Sequence, residues 1–485
     1  MKILFINSNL RVIAKRWRSK HSFAIEILSA VLKKNGYQTD LFLVEKNQDI
    51  KSLFVYIQKN RPQILAFGLT ETSFEGIKEI ARKTKEKFPK IFIVVGGIYP
   101  TLFPEEVIKF SYFDAVCLGE GEYSLLELVD GIQKKKNYFD VENFWFRKGK
   151  KIIKNIRTSP VDINLLPLPD KQLFYEKNLG YYQGWGFLKE KEKAGFVLLS
   201  RGCPFDCYFC TNKAIKDLYA SDYFRLLDPK KAVSQIAYFQ KRYHYDYLFI
   251  HDDIFAVDKV WLDQFLSLYL KKINLPFAIQ LRIGMFDKKT LRKLKKAGCF
   301  FVGVGIESGD EKIRKELLNK RFTNRQVKES VKWLKELGFK IGSYNMVGLP
   351  GENPKKFLKT VCLNAELNVD RPSVFIFYPY RGTRLYDFCK KEGLLKKIVP
   401  KNFSEREDTL LELRNFRRED IIYYQKNFFT LVNLLKKRKN IKSRIFYRIL
   451  FNLYFVPPSS IFFKLTQALS RYLANSRRII LEREI

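Results

Sequence analysis

Short apolar runs that alternate with helix-length amphipathic segments constrain the fold of this 485-residue chain most strongly. In residues 1–135 the runs fall at 2–8, 40–44, 64–69, 91–95 and 114–118. Each run is short and apolar on both faces, as expected of a buried parallel strand. Between the first two runs, Phe23 and Ile27 share one face of a helix that Gly36 is placed to end. The pattern predicts an α/β fold that begins with a doubly wound parallel sheet over residues 1–135. Such a sheet binds ligands at the carboxyl ends of its strands.

Small residues follow several of these predicted strands. Their loops include Gly68-Leu69-Thr70-Glu71-Thr72-Ser73, Gly96-Gly97-Ile98-Tyr99-Pro100-Thr101 and Gly119-Glu120-Gly121-Glu122. Small residues there let a large flat ligand or its phosphate tail approach the backbone. The candidate contacts are Thr70, Thr72, Gly96, Gly97, Gly119 and Gly121. Tight turns without a ligand are the alternative for each loop taken singly.

A second series of strand–helix units occupies residues 191–395. Its strand-like runs fall at 196–200, 247–250, 277–280, 301–305, 341–346 and 374–377. Six such units predict a partial (β/α)6 barrel with its active residues at the carboxyl ends of the strands. Residues 136–190 are predicted as a linker, because the alternate prolines of Leu166-Pro167-Leu168-Pro169-Asp170 favour extended backbone. Residues 396–485 are predicted to be mostly helical.

Three cysteines, Cys203, Cys207 and Cys210, follow the first predicted barrel strand with the spacing C-x3-C-x2-C. They cannot all pair among themselves in disulfides, but they can converge on a metal centre. Three ligands on a cubane [4Fe–4S] cluster leave one iron open for a substrate. A three-cysteine zinc site or a chance cluster is the alternative. Structural zinc normally takes a fourth Cys or His at motif spacing, and His244 and His251 lie far outside it.

Polar residues follow the later barrel strands as well. Adjacent carboxylates such as Asp252 and Asp253 repel each other unless cations or hydrogen-bond donors satisfy them. The further candidates are Arg282 after the third strand, Glu307 and Ser308 after the fourth, and Gly348 and Pro350 after the fifth. The alternatives are a helix N-cap with a surface acid for the carboxylates, a surface ion pair for the arginine, and a loop without a ligand for the glycine.

Residues 1–395 resemble the radical S-adenosylmethionine (SAM) enzymes that carry a cobalamin (B12)-binding domain. The stretch Ser200–Cys210 with its three cysteines and the stretch Met346–Glu352, M-V-G-L-P-G-E, are the most specific parts of the resemblance. It implies a [4Fe–4S] cluster on the three cysteines, with SAM on the open iron and in contact with the polar residues of the later strands. It also implies cobalamin on the N-terminal sheet. Tyr99 departs from the family's G-G-x-H-P-T pattern. Without a D-x-H-x-x-G motif, any cobalamin lacks a histidine lower ligand. Loss of cobalamin binding in a retained fold is the competing interpretation.

The family's chemistry implies that one electron from the cluster cleaves SAM to a 5′-deoxyadenosyl radical. Methylation of an unactivated carbon is the leading reaction, and a cyclase or rearranging enzyme is the alternative. An RNA methylthiotransferase is less favoured, because its second cluster takes three N-terminal cysteines and only Cys117 is available here. A non-catalytic corrinoid- or RNA-binding protein has no need of an open iron. The implied partners are a small-molecule or lipid-like substrate and a one-electron reductase of the flavodoxin or ferredoxin type.

The net charge of +38 favours anionic partners, with a solvated lysine-rich surface as the alternative. No RNA-binding module signature is present, so no specific nucleic acid is expected. Cysteines scattered outside the triplet and the absence of a signal peptide predict a cytoplasmic protein. Near the C-terminus, Lys436-Lys437-Arg438-Lys439 precedes the aromatic-rich stretch Ile445–Val456, which is too short to span a bilayer. The alternatives there are a peripheral membrane contact and a helical cap over the barrel.

Overall fold

The computed structural model describes residues 1–8, 21–177, 192–219, 223–396, 405, 407–437, 444–470 and 473. These residues form two sheets of mainly parallel strands, each accompanied by helices, and a C-terminal group of helices. In the described part of the chain, no helix is long and apolar enough to cross a membrane.

The first sheet has seven strands in the order β2-β1-β3-β4-β5-β6-β7. The strands are β1 Lys2–Ser8, β2 Gln38–Val44, β3 Ile64–Gly68, β4 Phe92–Gly96, β5 Ala115–Cys117, β6 Phe144–Lys148 and β7 Lys151–Lys154. The helices that accompany them are α1 Phe23–Lys34, α2 Asn47–Asn60, α3 Phe74–Lys87, α4 Ile98–Leu102, α5 Pro104–Ile108, α6 Glu122–Gln133 and α7 Gln172–Tyr175. Strands β1–β5 pair in parallel, with an apolar core on each face of the sheet. The predicted doubly wound parallel sheet is confirmed.

The hairpin β6–β7 lies inside the segment that the sequence predicted as a linker. Strand β6 pairs antiparallel with β5 and extends the sheet by two strands. Its alternate residues Phe144 and Phe146 are buried, and Gly149 takes a left-handed conformation (φ 60°) in the turn. Two alternating strands around one glycine therefore attach this part of the segment to the first sheet.

The second sheet has six parallel strands in the order β15-β14-β13-β12-β11-β8, so that β8 and β15 are its two open edges. The strands of this region are β8 Ala194–Val197, β9 Ser200–Arg201, β10 Arg225–Leu226, β11 Tyr247–Ile250, β12 Phe277–Leu281, β13 Cys299–Glu307, β14 Lys340–Val347 and β15 Arg371–Ile376. Its helices are α8 Thr211–Lys216, α9 Pro229–Tyr243, α10 Lys259–Lys272, α11 Lys288–Lys296, α12 Asn324–Glu336, α13 Pro354–Leu367 and α14 Arg384–Lys391. Strands β9 and β10 form a separate antiparallel pair. The six predicted strands of the partial barrel are all present.

Side chains alternate across the barrel strands. Phe196, Phe249, Ala278 and Phe301 form a small apolar cluster of their own, whereas the intervening residues pack against the outer helices. The outer core also contains Ile27 and other residues of α1 and of the linker. The two sheets are therefore joined by a shared apolar core.

The C-terminal helices α15 Arg418–Lys437 and α16 Arg444–Tyr454 follow the barrel. Helix α15 packs on β15 and α13, and Leu450 and Phe451 of α16 are buried in the same apolar cluster. The predicted helical C-terminal region is confirmed for the described residues, and these helices form a packed cap on the side of the barrel.

Candidate functional site

A cavity of about 410 Å³ lies between the carboxyl ends of the first sheet and the barrel. Its first wall is formed by glycines at the ends of β3, β4 and β5: Gly68, Gly96, Gly97, Gly119 and Gly121. Its second wall comes from the barrel and includes Ser200, Gly202, Asn212, His251 and Asp253. A concave site of this size between two domains suits a cofactor or a small molecule. Four of the predicted contacts, Gly96, Gly97, Gly119 and Gly121, thus lie on one wall.

The glycine wall is flat for identifiable reasons. Nothing lies within 4 Å of the position that a Cβ at Gly68 would take, so a side chain there would project into open space. Gly97 has φ +114°, and its Cβ would lie 2.8 Å from the Leu69 carbonyl oxygen. The absence of side chains leaves room at Gly68 for a broad flat ligand such as a corrin ring, whereas a Cβ at Gly119 would collide with the Tyr219 hydroxyl. Thr70 and Thr72 do not line the cavity, and the Thr70 hydroxyl instead accepts a hydrogen bond from the Ser73 amide.

The cysteine loop begins immediately after β9. Gly202 precedes the first cysteine in a left-handed conformation (φ +79°), where a Cβ would collide with Tyr223. The Asn319 side-chain amide donates to the Asp206 carbonyl at 2.8 Å, and the Tyr208 amide donates to the Leu318 carbonyl at 3.3 Å. The segment after the π-helical turn Ile313–Leu317 therefore braces the loop from one side.

The three thiols differ in exposure, because Cys207 is buried and Cys203 and Cys210 are partly exposed. Burial raises the pKa of Cys203 to about 11 and that of Cys210 to about 12, with a smaller contribution from the charge of Asp253. Metal binding must therefore displace their protons. Among the described residues, no three His, Cys, Asp or Glu side chains converge as a single metal ion would require. A cubane holds its cysteines further apart than a single ion does, and an all-thiolate donor set suits iron–sulfur chemistry.

Arg282 lies beside the cluster loop. Its guanidinium donates to Cys207 Sγ at 3.2 Å and stacks 4.2 Å from the centre of the Phe205 ring. A cation at this position stabilises thiolate charge. The contact with SAM that the sequence predicted for Arg282 stays a prediction.

The two adjacent carboxylates have different surroundings, because successive residues of a strand end point to opposite sides. Asp253 lies on the cavity wall, and its Oδ2 accepts a hydrogen bond from the Asn212 side chain at 2.9 Å. Asp252 is buried, and its Oδ1 accepts from the Leu199 and Ser200 amides at 2.7 and 3.2 Å. Burial raises the pKa of Asp252 to about 7. Asp252 therefore fixes the backbone before the cysteine loop, and Asp253 is the acid available to a ligand.

His251 was not among the predicted contacts, although it belongs to the same alternating set as Phe249 and Asp253. Its ring faces the cavity and lies 4.9–5.8 Å from the rings of Phe23, Phe196 and Phe249. Part of the His251 side chain is exposed to the cavity, but desolvation by the surrounding protein, with a smaller contribution from His21, lowers the pKa of His251 to about 4, so the imidazole is neutral at pH 7.

Glu307 and Ser308 lie at the end of β13 but not on the cavity wall. Glu307 has a left-handed backbone (φ 68°) next to an irregularity in the pairing of β13 with β14. Its Oε1 accepts from Lys320 Nζ at 2.7 Å, and both side chains are almost fully buried. Ser308 is completely buried, and its carbonyl accepts from the Arg314 guanidinium at 2.6 Å. Both residues are held by partners within the barrel.

The loop after β14 is organised by Glu352. Its Oε2 accepts from the Gly348 and Leu349 amides at 2.7 and 3.2 Å, and burial raises the pKa of Glu352 to about 8. Gly348 has φ +80°, and its Cβ would lie 3.1 Å from Ile421 of α15. Gly348 and Pro350 do not line the cavity, and the predicted packing of this loop against a ligand stays a prediction.

The acids of the Gly119–Glu122 stretch have a role that the sequence did not reveal. Glu120 Oε1 accepts from Arg225 Nη2 at 2.6 Å and lies 3.1 Å from Arg201 Nη1. Glu122 Oε1 accepts from Arg201 Nη2 at 2.6 Å. Both arginines belong to the β9–β10 pair of the barrel. These contacts, here called the interdomain clamp (Glu120, Glu122, Arg201 and Arg225), join the glycine wall to the start of the cysteine loop.

A second set of interdomain contacts lies near Tyr99. The Tyr99 hydroxyl donates to Glu106 Oε2 at 2.7 Å, and Arg381 after β15 donates to the same oxygen at 2.7 Å. The Arg381 amide also donates to Glu71 at 3.1 Å. Tyr99 therefore contributes to the interface between the domains and does not line the cavity.

Comparisons with known proteins place both halves of this site in described families. Residues 197–362 match the Radical SAM superfamily, and residues 12–129 match the B12 binding domain. The chain is 26% identical over 370 residues to an uncharacterized methyltransferase of Pyrococcus horikoshii, covering 75% of this chain and 77% of the relative. It is 24% identical over 406 residues to the anaerobic magnesium-protoporphyrin IX monomethyl ester cyclase of Rubrivivax gelatinosus, covering 80% and 69%. The fold resembles that of the cobalamin-dependent SAM radical enzyme OxsB, with a TM-score of 0.65 at 14% identity over 94% of this chain and 71% of that one.

Proposed function

Because the chain belongs to the radical SAM enzymes that carry a B12-binding domain, we propose that it methylates an unactivated carbon of a small-molecule or lipid-like substrate. One observation carries the proposal. A single cavity has the glycine wall on one side and reaches Gly202 and Asn212, which flank the cysteine loop, on the other. The cofactors are a [4Fe–4S] cluster, SAM and cobalamin. When bound, they supply one-electron cleavage of SAM and a transferable methyl group.

The two domains would bind different cofactors. In this proposal residues 1–135 hold the corrinoid against the glycine wall, and residues 191–395 hold the cluster through Cys203, Cys207 and Cys210. Asp253 would bind the SAM ammonium group, because its carboxylate faces the cavity. Arg282 would counter the negative charge beside Cys207. The apolar cluster inside the barrel, which includes Phe196, Phe249 and Phe301, would exclude water from the reacting groups.

A ring-forming or rearranging reaction is the second candidate, favoured by the similarity to the magnesium-protoporphyrin ester cyclase. The methyltransferase name of the Pyrococcus relative supports the first candidate. A flavodoxin- or ferredoxin-type protein would supply the electron. The single cysteines outside the triplet support a reducing compartment, so the proposal places the enzyme in the cytoplasm.

Anaerobic reconstitution with iron, sulfide and hydroxocobalamin tests the proposal. With SAM and a reductant, the wild-type chain should form 5′-deoxyadenosine, and Cys203→Ala, Cys207→Ala and Cys210→Ala should each abolish it. Cys362→Ala is the matched control, because Cys362 is exposed and lies outside the loop. SAM cleavage that survives loss of a loop cysteine would refute the cluster assignment.

Formation of S-adenosylhomocysteine separates the two candidate reactions without a known substrate. It accompanies methyl transfer from SAM, and cyclisation does not require it. Absence of both bound cobalamin and S-adenosylhomocysteine would eliminate methylation and leave radical chemistry.

A further inference from the structure

The C-terminal helices pack on the barrel with one face and expose apolar side chains on another. Tyr423 and Tyr424 of α15 donate hydrogen bonds to the Tyr454 and Phe455 carbonyls at 2.8 and 2.7 Å. The helical segment 463–470 is attached to the same helix, because Gln467 donates to the Tyr423 hydroxyl at 2.8 Å. Both elements are thus fixed parts of the cap.

Six large apolar side chains of these elements are exposed, here called the C-terminal apolar face: Ile445, Ile449, Ile461, Phe462, Leu465 and Leu469. Among the described residues sixteen large apolar side chains are exposed, so more than a third of them lie in this short stretch. Ile461 is 91% exposed and Ile445 is 76% exposed. Ile445 and Ile449 of α16, and Leu465 and Leu469 of the segment 463–470, are four residues apart, so each pair lies along one side of its helix, and Ile461 and Phe462 lie in the turn before that segment. Exposed apolar clusters of this kind mark interaction surfaces.

The charge of the sequence that contains this face indicates which partner fits it. Residues 421–481 contain twelve Lys or Arg and no Asp or Glu, although the whole chain has 51 acidic residues. Arg448 and Lys464 lie next to the apolar face and are exposed. Apolar side chains bordered by cations, with no anions among them, complement the interface of an anionic bilayer.

We propose that the C-terminal apolar face docks on the surface of a membrane that contains anionic lipids. The apolar side chains enter the boundary between headgroups and acyl chains, while the neighbouring cations contact phosphate. The C-terminal helices pack on the barrel through one side and present these apolar side chains on another. The helical cap and the membrane contact are therefore compatible. This proposal does not depend on the reaction proposed above.

Vesicle flotation with the full-length chain tests the docking. The chain should float with phosphatidylcholine vesicles that contain phosphatidylglycerol and much less with phosphatidylcholine alone. High salt should weaken the binding, because it screens the charges. The triple variant Ile445→Ser, Ile461→Ser, Leu465→Ser should bind at least about tenfold more weakly, since each residue loses its apolar burial in the membrane.

A matched control removes three apolar side chains elsewhere that are also mostly exposed: Val55→Ser, Ile156→Ser and Val260→Ser, which are 66–70% exposed. This control should bind vesicles as the wild type does. Equal binding by the wild type and the first triple variant would overturn the proposal. The proposal would also be overturned if the wild type does not bind vesicles but forms a concentration-dependent dimer, or binds single-stranded RNA, and the first triple variant loses that association. Equal unfolding midpoints of the two variants verify that both are folded.

Discussion

The interdomain clamp can be tested by removing the charge of Glu120. Glu120 Oε2 accepts from Arg225 Nη1 at 2.9 Å and from the Val161 amide at 2.8 Å, and Oε1 contacts both arginines. Burial would raise the pKa of Glu120, but the hydrogen bond from Arg225 and the charges of both arginines outweigh it and lower the pKa. Glu120→Gln preserves the size of the side chain and leaves two cations with less compensation.

The expected cost follows from the burial of the clamp. The side chains of Glu120 and Arg225 are 11% and 18% exposed. Removing one partner of a buried ion pair costs about 3–5 kcal/mol. Arg201 retains Glu122, so we expect the lower end for Glu120→Gln, about 3 kcal/mol in the free energy of unfolding. The coupling energy between Glu120 and Arg225 should be about 2 kcal/mol, as for paired residues in contact.

A double-mutant cycle measures this coupling. Urea unfolding of wild type, Glu120→Gln, Arg225→Gln and the double variant would be followed by tryptophan fluorescence, which includes Trp145 of β6. The matched control is the cycle for Glu105 and Lys154, a surface pair 3.5 Å apart with side chains that are 64% and 53% exposed. Exposed pairs of this kind couple by about 0.2–1 kcal/mol. A Glu120–Arg225 coupling no larger than that of the control pair would refute the clamp.

Three further substitutions test the backbone before the cysteine loop (Asp252), the contact that braces this loop (Asn319) and the glycine wall (Gly68). Ionisation of buried Asp252, with its pKa raised to about 7, costs stability as the pH rises from about 4 to 7. Asp252→Asn should reduce that loss by up to about 4 kcal/mol, as measured by urea unfolding at several pH values. Asn319→Ala should lower the iron and sulfide content after reconstitution, measured by chemical assay. The control Asn274→Ala changes another left-handed asparagine (φ 52° at both) and should retain the cluster. Gly68→Val should weaken hydroxocobalamin binding at least about tenfold in equilibrium dialysis by filling the cavity, with an unchanged melting temperature.

The strands were predictable because the signal for a buried strand, an apolar run bounded by turn residues, is contained in a short stretch of sequence. The eleven predicted strands are present, but the hairpin Phe144–Lys154 was assigned to a linker. Its strands are short and half polar, and they acquire their burial from β5. The alternation of Phe144, Phe146 and the lysines around Gly149 was a local signal for it, although pairing with β5 was not.

Asp252 and Asp253 show how well a local sequence pattern predicts which side chains line the cavity. Both acids were predicted to contact SAM or the substrate, because adjacent carboxylates need a cation or hydrogen-bond donors. The period of two in β11, continued past its end at Ile250, places adjacent residues on opposite sides, so the same sequence already indicated that only one of them faces the cavity. It also indicated that His251 faces the same side as Asp253. Strand alternation is therefore a sharper guide to the contacts than proximity along the chain.

The Gly119–Glu122 stretch shows what local sequence leaves out. Its glycines were predicted to face a ligand, and they line the cavity. The partners of its acids lie 79 and 105 residues further along the chain, so no local pattern identifies them. Arg201 is also only two residues before Cys203. A shift of the glycine wall relative to the barrel would therefore move the start of the cysteine loop, so we expect the clamp to fix the distance between the two proposed cofactor sites.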